Sequence, residues 1–300
     1  MLDPLTLDQL RVLVAVAEAG SFSAAARRLG RVQSAVSQAV QALEATLRLA
    51  LFDRGAKVPR LTEAGRAMVE DARRVIEGAE GLRARADAIA GGLEPELTIA
   101  VDHLLPRGPG RRALRALELA FPDLPVTLLM ESTGAVEGHL RDGTAGVAVF
   151  PFEAARGADL DAEFLTDVPM LAVAAADHPL ARRDGELSRE DLAPHVQLVP
   201  ADGGDAGHWS RGVAGRRLWR FADPNNRLGF LLDGFGWCYM PLHLVRPHLA
   251  EGRLKGLSVR QDGRGFTVAL HVVHRRGYRP GIAARWVTAR LREFLADAGS

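Results

Sequence analysis

Apolar positions recur at helical spacing near the start of the chain and change to short, separated apolar runs after residue 92. Within 32–48, Val36, Val40, Leu43 and Leu47 stand four, three and four apart, which makes one apolar stripe along a helix. The opposite face carries Gln33, Ser34, Ser37, Gln38 and Gln41, all polar and uncharged. Ser21 and Ser23 are candidate caps for a shorter helix ending at Leu29, and Gly30 supplies the turn between the two. The pattern predicts a helix–turn–helix. Amide side chains can pair with adenine edges in the major groove, although an ordinary amphipathic helix pair has the same periodicity.

A second helical pattern covers residues 62–90. Thr62 is a cap and Glu63 suits the first turn. Met68, Ala72, Val75, Ala79, Leu82, Ala86 and Ile89 follow at strict four-and-three spacing, a heptad seam. Two uses fit that seam, packing on the chain's own body or pairing with a second chain. Charged residues on the other faces favour pairing, and Gly78 and Gly81 weaken the helix enough to need a partner.

Beyond Gly91-Gly92 the pattern alternates. Strands are predicted at 97–101, 126–130 and 145–150, with helices at 111–120 and 135–142 between them. Further strands fall near 170–175 and 196–199, a helix near 225–233, a strand at 266–274 and a helix at 282–296. Such alternation is the mark of a mostly parallel sheet covered by helices.

Charge sharpens the reading of the first segment. Between Gly20 and Arg66 there are eight basic residues (Arg27, Arg28, Arg31, Arg48, Arg54, Lys57, Arg60 and Arg66) against three acidic ones, in a chain of formal net charge +1. Positive charge is concentrated where a phosphate backbone would need it. At 300 residues, 47% hydrophobic and 25% charged, the chain can bury a sizeable core in two or three domains. A single cysteine, Cys238, cannot form an intramolecular disulfide, and its apolar neighbours suggest a buried thiol. No secretory-type segment precedes Leu5 and no apolar run reaches membrane-spanning length, so a cytoplasmic protein is expected. Only Lys57 and Lys255 are lysines, an arginine bias that suggests a GC-rich bacterial genome.

The residues also carry a family resemblance. LDQLRVLVAVAEAGSFSAAARRL (7–29), QSAVSQAVQALE (33–44), LFDR (51–54) and LTEAG (61–65) resemble the N-terminal domain of LysR-type transcriptional regulators. HPLA (178–181), LSREDLA (187–193) and HLAEGRL (248–254) resemble that family's effector-binding domain. There are departures: Val32 stands where the family usually has Ser, Ser34 where it often has Pro, and Leu47-Arg48 replaces the usual Leu-Gly. The resemblance implies an α/β chain with a winged helix–turn–helix (1–61), a dimerising linker helix (62–91) and a two-lobed α/β effector-binding domain of periplasmic-binding-protein type (92–300). Lobe 1 is expected at 92–164 and 266–300, and lobe 2 at 165–265. It further implies binding to promoter DNA, a small-molecule effector, a homodimer through residues 62–90 and a homotetramer.

The expected DNA-contacting residues are Arg27, Arg28, Arg31, Gln33, Ser34, Ser37, Gln38, Gln41, Arg54 on the wing side, and Arg60. Transferring the family's pocket positions one by one gives Asp102, His103, Ser132, Thr133, Phe150, Asp202 and Asn226 as effector-binding candidates. No catalytic residue, metal site or cofactor is expected. His271 and His274 lie three apart on a strand and face opposite ways. DGGDAGH (202–208) lacks both the Lys-Ser/Thr of a P-loop and the final Glu of an EF-hand. The alternatives are a DNA-architectural or ligand-independent DNA-binding protein and, less favoured, a solute-binding protein.

Overall fold

The structure is a computed structural model that describes residues 5–53, 59–152, 158–201, 212–260 and 265–299. The chain divides into two compact units, residues 1–91 and 92–300.

In the first unit, helix α1 (Leu7–Ala19) opens on a capping box in which Thr6 and Gln9 satisfy each other's backbone amides. Ser21 caps α2 (Phe22–Leu29), Gly30 ends it in the left-handed conformation, and α3 (Gln33–Leu47) follows. Val36, Val40 and Leu43 are buried together with Leu13, Val16 and Ala25, so the predicted stripe faces the core. A short ribbon, β1 (Phe52–Asp53) paired antiparallel with β2 (Arg60–Leu61), forms the wing. Thr62 caps α4 (Glu63–Ala90), whose Val69 and Ala72 pack into the same core as α1. Gly65 is required there, because a Cβ would stand 2.0 Å from the carbonyl oxygen of Leu51.

The seam on α4 splits into two parts. Met68 and Ala72 pack inward, whereas Val75, Leu82 and Ile89, seven residues apart, are 49%, 72% and 38% exposed. The first expected use of the seam, packing on the chain's own body, is met near the wing, and the rest of the seam is left exposed.

The second unit begins with β3 (Leu97–Asp102), α5 (Arg107–Ala120), β4 (Val126–Glu131), α6 (Thr133–Asp142) and β5 (Val147–Pro151). β3 pairs in parallel with β4 and β5. Two long strands follow the path between lobes: β6 (Leu160–Ala175) and the returning β13 (Gly265–Arg275), antiparallel to each other. Only the last six residues of β6 were expected as a strand. Its earlier half alternates buried and exposed less cleanly, because it leaves one lobe's sheet for the other's.

Between the crossings lie a 3-10 turn (Pro179–Arg182), β7 (Glu186–Leu187), α7 (Arg189–Leu192), β8 (Val196–Pro200), β9 (Arg217–Phe221), α8 (Pro224–Leu232), β10 (Trp237–Pro241), α9 (Leu242–Ala250), β11 (Leu254–Gly256) and β12 (Ser258–Val259). The main sheet runs β4-β3-β5-β13-β6-β10-β8-β9, with β11 added on β6. Helix α10 (Ile282–Gly299) packs beside α5. Glu94 starts it by accepting the amides of Ala283 and Ala284 at 2.9 and 3.0 Å, a carboxylate placed at a helix N-terminus.

Period-two alternation decides which sheet face each side chain joins. On β5, Val147 and Val149 pack under α5 and α10, while Ala148 and Phe150 pack under α6 with Val136 and Leu140. Lobe 2 has its own core around Leu198, Leu231, Met240 and Cys238. The Cys238 thiol is wholly buried, and burial pushes its pKa up to about 12.

Candidate nucleic-acid interface and candidate ligand cleft

Helix α3 presents Gln33, Ser34, Gln38 and Gln41 to solvent, with Ser37 half-buried beside them. Because Val36, Val40 and Leu43 hold the inner face, the helix cannot rotate without exposing them. Arg27 and Arg60 are exposed nearby in sequence and fold. Arg28 and Arg31 already have protein partners: Arg28 pairs with Glu18 at 2.8 Å, and Arg31 grips Asp8 through both terminal nitrogens at 2.8 and 2.7 Å. Bonding to Arg31 holds the Asp8 carboxyl below its ordinary value. Arg54 lies outside the described residues.

The sequence reading missed Glu44. Its carboxylate accepts the backbone amides of Leu51 and Phe52 at 2.8 and 3.2 Å, tying the end of α3 to the first wing strand. Phe22 packs on Phe52 at 5.4 Å between ring centres, which ties α2 to the same strand. An acidic residue among bases within a basic segment was the available signal.

A cleft opens at the carboxyl ends of β3, β4, β8 and β9, where two lobes of an α/β fold leave a crevice. It holds a narrow cavity of about 70 Å³. Of the expected residues, Asp102, His103, Ser132 and Thr133 line it. Burial keeps the His103 imidazole below its usual pKa. Thr133 is 2% exposed, and its hydroxyl donates to Asp102 Oδ2, while Asp102 Oδ1 accepts the amide of Leu104. These two side chains face each other as much as they face the cavity.

Two expectations are corrected. Phe150, 1% exposed, lies in the core beneath α6 and does not reach the cleft, because its position on β5 points to that face of the sheet. Asn226 does not open α8: Asp223 is the cap, accepting the amides of Asn225 and Asn226, and Asn226 is exposed outside the cavity. Asp202 lies outside the described residues, as does the 202–208 segment.

The cavity walls the sequence did not indicate are Leu198, Val199, Phe221, Tyr239, Phe266 and, on α8, Arg227. Arg227 stands one position beyond the expected Asn226. Gln197 also lines the cavity, but Gly212, Ala214 and Gly215 occupy its amide group. Across the cleft, Arg107 on α5 donates to Asn225 Oδ1 on α8 at 2.7 Å. Among the described residues no group of three or more His, Cys, Asp or Glu side chains could hold a metal ion, and no helix is long and apolar enough to cross a membrane.

Comparison with known proteins agrees with this division. Residues 7–66 match the bacterial regulatory helix-turn-helix protein, lysR family, and residues 90–296 match the LysR substrate binding domain. The chain is 32% identical over 264 residues to the probable HTH-type transcriptional regulator YhaJ of Escherichia coli (strain K12), covering 85% of this chain and 86% of YhaJ. It is 30% identical over 288 residues to the HTH-type transcriptional regulator AceR of Acinetobacter baumannii, covering 95% and 96%. The fold resembles full-length CbnR, solved with its target DNA, with a TM-score of 0.55 at 24% identity over 97% of this chain and 99% of that one. The helix–turn–helix falls within the first match and the α/β domain with its cleft within the second, and together the two matches span most of the sequence: the chain belongs to the LysR family of transcriptional regulators.

Proposed function

We propose that α3 reads promoter DNA through Gln33, Ser34, Ser37, Gln38 and Gln41. The observation that carries this is the helix's orientation, with the neutral amide and hydroxyl face outward and Val36, Val40 and Leu43 buried. Arg27 and Arg60 supply phosphate contacts, and Arg54 is assigned the same role from its position in the sequence. Arg28 and Arg31 act first as braces of α1 and α2 and reach phosphate only by exchanging their carboxylate partners, a small cost for exposed pairs. Gln33→Ala is expected to lower affinity for a cognate site by about 1–3 kcal/mol and to relax base preference, whereas Arg60→Ala weakens all sequences alike and flattens the salt dependence. A gel-shift titration at several salt concentrations separates the two. Unchanged affinity and preference in Gln33→Ala would remove α3 from the groove.

The cleft is the effector site in this reading, lined by His103, Ser132 and the newly found walls, with Asp102 and Thr133 as its supports and Phe150 and Asn226 withdrawn. An effector alters DNA binding by favouring one lobe arrangement over another. Residues 62–91 pair two chains through the exposed part of α4, and effector domains join the pairs into a homotetramer. The protein works in the bacterial cytoplasm as a regulator and not as an enzyme.

A further inference from the structure

Five polar or charged residues among those described are buried: Asp102, Thr133, His178, Gln197 and Arg227. Four have side-chain partners. Asp102 and Thr133 bond each other, His178 accepts the amide of Leu180, and Gln197 holds the backbone at 212–215. Arg227 is the exception. It is 4% exposed and lines the cleft, and its buried Nε has no hydrogen-bond partner among the described residues. A buried charge without a partner is costly, and folds retain such groups where something else completes them.

The surroundings say what is missing. Burial pushes the Cys238 thiol up to about 12, so it offers Arg227 no anion, and the Asp102 carboxyl bonds Thr133 and Leu104. On the opposite wall α6 begins at Ser132, whose side chain makes no capping bond, so the first-turn amides have no side-chain acceptor there. α8, by contrast, has its own cap in Asp223. A guanidinium on one wall and free helix amides on the other are both donors suited to an anion. Apart from His103, Gln197 and Tyr239, the remaining walls are mostly apolar and include Leu198, Val199, Phe221, Leu244 and Phe266.

We propose that the cleft takes a small organic monocarboxylate, its carboxylate held by Arg227 and the N-terminus of α6 and its body packed against the apolar walls. This deepens the effector-site reading above and rests on it. Among the described lining residues Arg227 is the one arginine or lysine, so the second group of a dicarboxylate would meet Asp102, and an amine would leave the Arg227 Nε without an acceptor.

The test is calorimetry on the full-length protein with a series of sodium monocarboxylates from acetate to benzoate, the matching amides, and sodium phosphate. An acid of the series is expected to bind, with its amide and phosphate much weaker. Arg227→Gln is expected to weaken the acid about thirtyfold or more. Without any ligand, Arg227→Met is expected to keep or raise the thermal midpoint, because it removes a buried charge whose Nε is unsatisfied. No binding by any acid, an amide as tight as its acid, phosphate as tight as the acids, or a lowered midpoint in Arg227→Met overturns the proposal. Val199→Trp, which fills the cavity, separates the two readings. Amides bound by wild type and lost in Val199→Trp would end the carboxylate assignment and leave the cleft as the effector site. An acid bound equally by wild type, Arg227→Gln and Val199→Trp would end both.

Discussion

The hydroxyl of Thr133 donates to Asp102 Oδ2 across 2.5 Å, linking the first residue of α6 to the last residue of β3. Both are nearly inaccessible, so the bond sets the floor of the cleft and is not free for a ligand. Thr133→Val keeps the side chain's shape and leaves the carboxylate short of a donor. We expect a loss of about 1–3 kcal/mol in stability, the usual cost of an unsatisfied buried polar group. Thermal denaturation of the variant checks this, and an unchanged midpoint would show that the bond is dispensable.

Arg107 and Asn225 form a hydrogen bond between α5 and α8, which belong to different lobes. Asn225→Ala removes that bridge, worth about 1 kcal/mol in the closed arrangement. If the closed arrangement binds effector, apparent affinity should fall by about fivefold while effector-free DNA binding is unaltered. Calorimetry with an identified effector reads the change directly.

Arg48 ends α3 at φ 55° and ψ 36° and is the one non-glycine with positive φ among the described residues. The left-handed conformation strains a residue with a Cβ, and a glycine relieves that strain. Arg48→Gly should stabilise the N-terminal unit by about 1 kcal/mol even after its entropic cost. A rise in that unit's unfolding midpoint is the expected result.

His243 lies half-buried on α9, where burial, with Arg107 and Arg246 adding to it, pushes its pKa down to about 4. Its Nε2 has no partner among the described residues. The neutral ring is favoured in the folded state, so between the ordinary value of 6.5 and about 4 only the unfolded chain takes up the proton. Its contribution to stability is therefore present above pH 6.5 and lost as pH falls toward about 4. His243→Leu should show a smaller drop in thermal midpoint across that interval than the parent protein. Parallel pH slopes would contradict it.

Leu82, 72% exposed on α4, has no packing role within its own chain. Leu82→Asp should leave the fold of the single chain intact and put a charge into any paired seam, which is costly without a partner. Sedimentation of the full-length protein is expected to show a smaller assembly. An unchanged assembly size would place the pairing surface elsewhere.

The pattern of residues alone determined the elements that are regular and amphipathic. Val36, Val40 and Leu43 repeat at helix spacing, and a helix with one apolar stripe has one stable way to face a core, so the outward set from Gln33 to Gln41 followed. The same local logic located the caps Ser21 and Thr62, since a cap acts within three residues of itself. The cleft was different. Phe150 and Arg227 show why: whether a strand residue faces α6 or the cavity depends on how the sheet and its covering helices are layered, and whether a buried guanidinium finds a partner depends on elements far from α8 in sequence, such as β3. Asp102 was expected among the effector-binding residues, and the fold makes it the acceptor for Thr133 and Leu104. Sequence periodicity sets which face of an element is apolar. Only packing decides which neighbour that face meets, and therefore which polar groups are left for a ligand.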